Sequence, residues 1–268
     1  MAPCYHARMR DQLIQVVKTV AQQEVMPRYL KVAHERKNDG SLFTAADLAT
    51  QEALVTALNA LHPCPILGEE MTESLQHSIW NQHSVDIWCV DPIDGTSNFV
   101  HGIPYFAVSV ALMRNGRSIL GVVYDPVSDE CFSAEKGQGA WLNGVPLPIS
   151  ETTPTLQEAI AGVDLKRLPA ALAQALSANP PYASQRNFGA STLEWCYVAA
   201  GRLNVYLHGG QKLWDYAAGS LILEESGGHY CSLDEQPFWE GQPWARSVMA
   251  SLNPELFNQW RHWLRTAR

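Results

Sequence analysis

Apolar positions set the first expectations. From about Asp11 to Tyr29, Leu13, Val16, Val17, Val20 and Val25 recur at helical spacing. The stretch "TAADLATQEALVTALNAL" opens with Thr44 and Asp47, a capping-box pattern, and Leu48, Leu54, Leu58 and Leu61 then predict a second helix. Between the two lies "HERKNDGSLF", polar and carrying the turn signal Asp39-Gly40. It predicts an exposed loop over about 35–43, suited to ordering over a nearby site.

The pattern then changes to short, fully apolar runs. "CPILGEE" ends in Glu69 and Glu70, and "VDIWCVD" ends in Asp91, so both predict buried strands that stop at acidic residues. "YFAVSVALMRNGRSILGVVYDP" is two apolar runs joined by Asn115-Gly116, a strong hairpin signal, and Asn143-Gly144 marks a second hairpin. The first half thus predicts two helices followed by a mostly antiparallel sheet. The second half alternates. "EAIAGVDL" predicts a strand, "LPAALAQALSA" a helix, and "STLEWCYVAAG" a helix capped by Ser191 and Glu194. "RLNVYLHG" predicts a strand, and "LWDYAAGSLILEESGG" a helix stopped by Gly227-Gly228. A strand near Ser247–Ser251 and a helix from about Pro254 close the chain. Such alternation implies layers of helix and sheet.

Composition narrows the picture. The chain has 268 residues, enough for a sizeable core, with 46% apolar and 17% charged residues, ordinary for a soluble globular protein. A net charge of −8 and no Lys/Arg run longer than two argue against a direct nucleic-acid partner. No apolar run approaches the roughly 18 residues that span a membrane, and the N-terminus lacks a signal-peptide core. Six cysteines without a C-x-x-C pair argue against a zinc site and for reduced thiols, hence a cytoplasmic protein.

The candidate chemistry lies in "WCVDPIDGTSNF" (88–99). Two aspartates three positions apart around a proline suit an ordinary turn, but other carboxylates stand at element ends too: Glu69, Glu70 and Asp215. Gathered together they would repel unless a cation sits among them, and Mg²⁺ works with a few carboxylates plus phosphate oxygens. Pro92 holds Asp91 extended, the Ile93 carbonyl is a further hard oxygen, and Gly95-Thr96 offers backbone N–H groups.

In order and separation, "LGEE" (67–70), "DPIDGTSNF" (91–99) and "WDYAAGSLILEESGG" (214–228) resemble the inositol monophosphatase family of Mg²⁺-dependent, often lithium-sensitive phosphatases. "TAAD" (44–47), "GVVYDP" (121–126), "GxGAWLNG" (137–144) and "RNFGAS" (186–191) match as well, so the resemblance spans nearly the whole chain. It implies an α/β (α+β) layered α-β-α-β-α sandwich of the inositol monophosphatase and fructose-bisphosphatase type. It also implies one domain over 1–268, with the metal-binding half at about 1–150 and the other half at about 151–268.

By motif position, the resemblance implies metal ligands at Glu69, Asp91, the Ile93 carbonyl, Asp94 and Asp215, holding two or three Mg²⁺ ions. Glu69 orients or deprotonates the attacking water, and Thr96 with Asp47 helps activate it. Gly95 and Thr96 cradle the phosphate, and Gly189, Ala190 and Ser191 contact substrate. Inositol-hydrolysing members commonly carry an acidic residue seven positions before the "WD" aspartate. Here that position is His208. A histidine contacting substrate there implies weak inositol preference and tolerance of a second anionic group, an advantage that would fade as pH rises from about 6 to about 8. The implied activity is hydrolysis of a small polyol or sugar phosphate. The alternatives are a 3′(2′),5′-bisphosphate nucleotidase, a fructose-bisphosphatase, a histidinol phosphatase, or a non-enzymatic partner of the transcription machinery. The family tendency also implies a homodimer.

Overall fold

The computed structural model describes residues 2–31, 34–36, 42–82, 85–149 and 154–267. In chain order the elements are α1 (Ala2–Val20), β1 (His34–Arg36), β2 (Leu42–Thr44), α2 (Ala45–Leu61), β3 (Ile66–Gly68), α3 (Glu73–Trp80), β4 (Ile87–Asp94), α4 (Thr96–His101), β5 (Ala107–Arg114), β6 (Arg117–Asp125), β7 (Glu130–Glu135), β8 (Gly139–Leu142) and β9 (Val145–Pro146). Then follow β10 (Ile160–Asp164), α5 (Ala170–Ala178), β11 (Ser184–Arg186), α6 (Ser191–Ala199), β12 (Val205–Gln211), α7 (Leu213–Glu225), β13 (His229–Cys231), β14 (Arg246–Ser251) and α8 (Pro254–Thr266).

The strands build two main sheets. The first runs in the order β3 to β9, with β3 parallel to β4 and the rest antiparallel. The second has the order β11-β10-β12-β14-β13. Side chains alternate between faces along a strand. Trp88, Val90, Val108, Val110, Leu120 and Val122 therefore meet α1 and α2 through Leu13, Val17, Leu54 and Leu58. Cys89, Ala107, Ala111 and Val123 point the other way, onto Leu193 and Trp195 of α6 and onto α7. Tyr206, Val248 and Ala250 of the second sheet complete that middle core. The opposite face of the second sheet, with Val163, Val205, Leu207 and Met249, packs on α5 and α8 through Leu172, Leu176, Leu256 and Trp260. The result is five layers, α-β-α-β-α, as the resemblance implied. Both sheets are covered on both faces, which explains why their strands read as continuous apolar runs rather than alternating ones.

Most predicted elements are present. Thr44 and Asp47 form a true capping box on α2. Asn115-Gly116 and Asn143-Gly144 turn their hairpins with positive φ at both residues. Several details differ from the sequence expectation. The first half also contains α3 and α4. Helix α3 buries only Gln76 and Ile79, so it shows no apolar stripe, and α4 spans six residues. The predicted Ser191/Glu194 cap on α6 does not form. Ala190 is the N-cap, and Glu194 accepts from the Phe188 N–H at 2.9 Å instead. Leu48 is 45% exposed despite its place in the helical pattern. Strands β1 and β2 pair antiparallel just before Asp47. The expected Asp39-Gly40 turn, and with it the centre of the expected loop, lies outside the described residues.

Helices α6 and α7 share the middle layer at close range. A Cβ at Gly219 would lie 2.5 Å from the Trp195 Cβ. Gly219→Val should therefore push the two helices apart and destabilise the fold by about 1–3 kcal/mol, the usual cost of overpacking a core. The check is the urea midpoint at unchanged m-value.

Candidate metal and phosphate site

In a regular strand, Asp91 and Asp94 would point to opposite faces because their separation is odd. Strand β4 avoids this. Asp91 pairs with Ser109 and Asp94 with Ala107, so three steps on β4 match two on β5. That extra residue is a bulge, and bulges re-aim side chains. Pro92 sits inside it and has no N–H to place in the ladder. The Ile93 N–H turns back to donate to Asp91 Oδ1 at 3.1 Å.

Asp215 arrives from a different layer, in the first turn of α7. The Lys212 N–H donates to its Oδ2 at 2.8 Å, and the helix N-terminus favours the negative charge. Asp91, Asp94 and Asp215 each bring a carboxylate oxygen within 4.8 Å of the others. Glu69 follows β3, which runs parallel to β4, and its N–H donates to the Val90 carbonyl at 3.3 Å. Gln76 Nε2 holds the carbonyls of Gly68 and Glu69 at 2.9 and 3.2 Å. This places Glu69 beside Asp91, lining the same cleft but outside the tight group of three aspartates.

Burial and mutual repulsion act together here. Burial, then the charges of Glu69, Asp94 and Asp215, push the Asp91 carboxyl well above the usual range. Burial pushes Asp94 up to about 6, although the Thr192 N–H and hydroxyl both donate to its Oδ2 at 2.6 Å. Burial, then Asp94 and Glu69, push Asp215 up to about 8. An all-oxygen set whose members repel one another in a buried pocket fits a hard divalent cation, whose charge removes the repulsion.

The other expected residues surround this centre in a cleft of about 210 Å³. Gly95 is the N-cap of α4 with φ 87°, and a Cβ there would lie 3.1 Å from both the Tyr105 carbonyl oxygen and the Ala190 Cβ. The Thr96 hydroxyl has one proton and two acceptors, the Ile93 carbonyl at 3.0 Å and Asp47 Oδ1 at 3.4 Å. Asp47 Oδ2 meanwhile accepts from the Thr44 N–H and hydroxyl at 2.8 and 2.6 Å. Gly189 and Ser191 line the cleft, while Ala190 is buried behind them.

His208 lines the cleft as well, but its ring is committed elsewhere. Nδ1 accepts from the Gly210 N–H at 3.2 Å, so the proton of the neutral ring sits on Nε2, which faces Asp164 Oδ2 at 3.4 Å. Burial, then the Arg167 charge, depresses its pKa to about 3. A depressed value means no charge change between about pH 6 and about 8, so the expected fading of an anion advantage through His208 is overturned.

Several contributors carry no signal in the sequence. Thr192 steadies Asp94. Asn98 Nδ2 donates to the carbonyls of Tyr105 and Phe188, both at 2.7 Å, tying α4 to the 188–190 segment. Asp164, Arg167 and Asn187 line the cleft from β10, the turn after it and the residue after β11. Asn98 and Asn187 lie inside quoted motifs without standing out there, Thr192 directly follows one, and Asp164 and Arg167 come from stretches that show no motif.

Known proteins resemble this chain over most of its length. The profile of the inositol monophosphatase family matches residues 7–262. An inositol-1-monophosphatase of Caulobacter vibrioides is 34% identical over 236 residues, 84% of this chain and 90% of that protein. A Nus factor SuhB of Pasteurella multocida is 35% identical over 202 residues, 74% of each chain. Among solved structures, an IMPase of Thermotoga maritima superposes with a TM-score of 0.80 at 28% identity, covering 95% of both chains. A buried carboxylate cluster built on this five-layer fold, matched along nearly the whole sequence, places the chain in the inositol monophosphatase family of phosphate monoester hydrolases.

Proposed function

We propose that this protein hydrolyses the phosphate monoester of a small polyol or sugar at the cleft between β4, α4 and α7, with Mg²⁺ held by Glu69, Asp91, the Ile93 carbonyl, Asp94 and Asp215. The observation that carries the reading is the cluster of three aspartates from two layers, buried or half-buried, with carboxylate oxygens within 4.8 Å of one another. Bound there, two or three divalent ions would supply Lewis acidity to the phosphate and charge stabilisation to the leaving oxygen. The chain's own groups do the rest. Gly95 and Thr96 position the phosphate. With its proton turned toward Asp47, the Thr96 hydroxyl presents a lone pair to the attacking water, and Glu69 accepts a proton from that water. Asp47 is anchored by Thr44, so this pair is held in place from the start of α2. Gly189 and Ser191 form the wall facing the alcohol, with Ala190 packed behind them. A phosphatase screen over phosphorylated metabolites with Mg²⁺ tests the reading.

Relatives named Nus factor SuhB raise a role beside the transcription machinery. The complete carboxylate set supports hydrolysis as the primary one. A homodimer is supported by the exposed apolar side chains of Leu30, which packs against Gly102, and of Ile103, which follows it, and sedimentation velocity tests it. Five described cysteines are free thiols, which supports a reducing, cytoplasmic setting. No helix among the described residues is long and apolar enough to cross a membrane.

Asp91→Asn and Asp94→Asn should each lower kcat/KM by at least about a hundredfold, roughly 2.7 kcal/mol of barrier, while the protein stays folded. Removing one charge weakens the cation site but relieves repulsion in the metal-free state. Near-native turnover of either variant at saturating Mg²⁺ would remove these residues from the ligand set.

Metal removal should also create a pH-dependent stability. Asp94 and Asp215 have folded pKa values near 6 and 8, above the ordinary value of about 3.9. The folded state thus keeps protons that the unfolded chain has released, and stability falls as pH rises through those values. His208 acts in the opposite sense, but only below its unfolded value of about 6.5. Between about pH 6.5 and about 8 the decline comes mainly from Asp215 and from buried Glu194, which is raised to about 7 and lies outside the metal set. Thermal unfolding in EDTA should show a Tm that declines over that window, and saturating Mg²⁺ should make the decline shallower by removing the Asp215 part. A flat profile in EDTA would contradict the coupling.

A further inference from the structure

Six carboxylates line the cleft, and among the described residues that line it Arg167 is the one Lys or Arg. It ends the 3-10 turn Leu165–Arg167 that follows β10. The turn is held by backbone contact. A Cβ at Gly209 of β12 would lie 1.8 Å from the Arg167 carbonyl oxygen, so glycine alone lets strand and turn approach this closely. Asp164 Oδ1 caps the turn by accepting the Lys166 N–H at 3.1 Å. The backbone of Arg167 is thus fixed at the rim of the cleft, while its side chain remains 61% exposed.

Among the described residues the guanidinium has one ion-pair neighbour. Its Nε faces Asp164 Oδ2 at 3.4 Å. Charge-assisted hydrogen bonds run at about 2.7–2.9 Å, so this contact is loose. It leaves four N–H donors beyond Nε–H, in a planar fork that suits phosphate or carboxylate. An exposed pair of this kind contributes little to stability, which makes a purely structural role a weak explanation. The same Asp164 oxygen is faced by the protonated Nε2 of buried His208, also at 3.4 Å, and Asp164 and His208 are register partners across β10 and β12. His208 therefore stands beside the same carboxylate that the arginine faces.

We propose that Arg167 is a specificity determinant that binds a second anionic group, phosphate or carboxylate, on the alcohol portion of the substrate, and that His208 is a positioning residue acting on Arg167 through Asp164. The inference rests on the hydrolytic reading above and names its substrate class: phosphate monoesters whose leaving alcohol carries another anion. Arg167 lies on the cleft wall with Asn187, so a second anion bound there would sit apart from the phosphate held near Gly95 and Thr96.

Two matched substrate pairs test it with Mg²⁺ present: fructose 1,6-bisphosphate against fructose 1-phosphate, and 2-phosphoglycerate against glycerol 2-phosphate. The first pair reads a second phosphate and the second a carboxylate. Wild-type kcat/KM should favour the more anionic member of at least one pair by about tenfold or more. Arg167→Ala should lower that ratio about tenfold, mainly through KM, and Arg167→Glu should invert it. His208→Leu should raise KM for the preferred member with little change in kcat, and His208→Gln, which keeps an N–H donor, should restore part of the loss. Wild-type protein that hydrolyses all four without preference, or an Arg167→Ala ratio within about twofold of wild type, overturns the proposal while the hydrolytic reading stands. Hydrolysis of none of the four overturns the proposal, and the metabolite screen then decides the hydrolytic reading separately. A His208→Leu variant that lowers kcat equally on both members of a pair overturns the positioning role.

Discussion

The repulsion among buried carboxylates is the constraint on which the rest of this structure depends. Asp91, Asp94 and Asp215 occupy one small volume with Glu69 beside them, and burial raises the cost of every charge. A fold that existed only to be stable would not gather them. Each carboxylate is accordingly held by a separate device that acts on backbone rather than on a countercharge. Asp91 is held by the bulge and the Ile93 N–H, Asp94 by Thr192, Asp215 by the first turn of α7, and Glu69 by the end of β3 and Gln76. Fixing the geometry in advance means that a cation bound there would not have to order these carboxylates.

The five-layer arrangement makes this possible because the site is assembled from both sheets and the helices between them. Strand β4 is central in its neighbourhood, with β3 on one side and β5 on the other, so its carboxyl end cannot drift. Helix α7 lies in the middle layer against the same sheet, and α6 packs on α7 at the distance set by Gly219. Movement of α7 would therefore shift Asp215 and, through α6, the Thr192 donors on Asp94. Stability of the middle core and geometry of the site are one property here.

The alcohol end of the cleft follows a different logic. Its polar residues come from the second sheet, where close backbone approach at Gly209 places the turn carrying Arg167 against β12. His208 occupies the position that first drew attention to substrate choice, but burial leaves its ring uncharged and both nitrogens engaged. The charged group at that end is its neighbour across the strands and one turn further on.

Most of the elements, and the carboxylates that stand at their ends, were legible in the sequence, although α3 and α4 were not. Helical spacing in α1 and α2, the Asn-Gly hairpins, the capping box at Thr44 and the carboxylates at strand ends are local patterns, encoded within a few residues of one another. Tertiary structure alone decided the rest, because it depends on which distant residues meet. The bulge that turns Asp91 and Asp94 to one side is a mismatch between two strands, and no single strand records it. The failure of the Ser191/Glu194 cap has the same origin, since Glu194 found the Phe188 N–H before its own helix. Thr192 reaches Asp94 across 98 positions, and Asp164 meets His208 only because β10 and β12 run parallel in register. The charge state of His208 likewise belongs to its surroundings and not to its identity, because burial and the nearby Arg167 charge disfavour the charged ring.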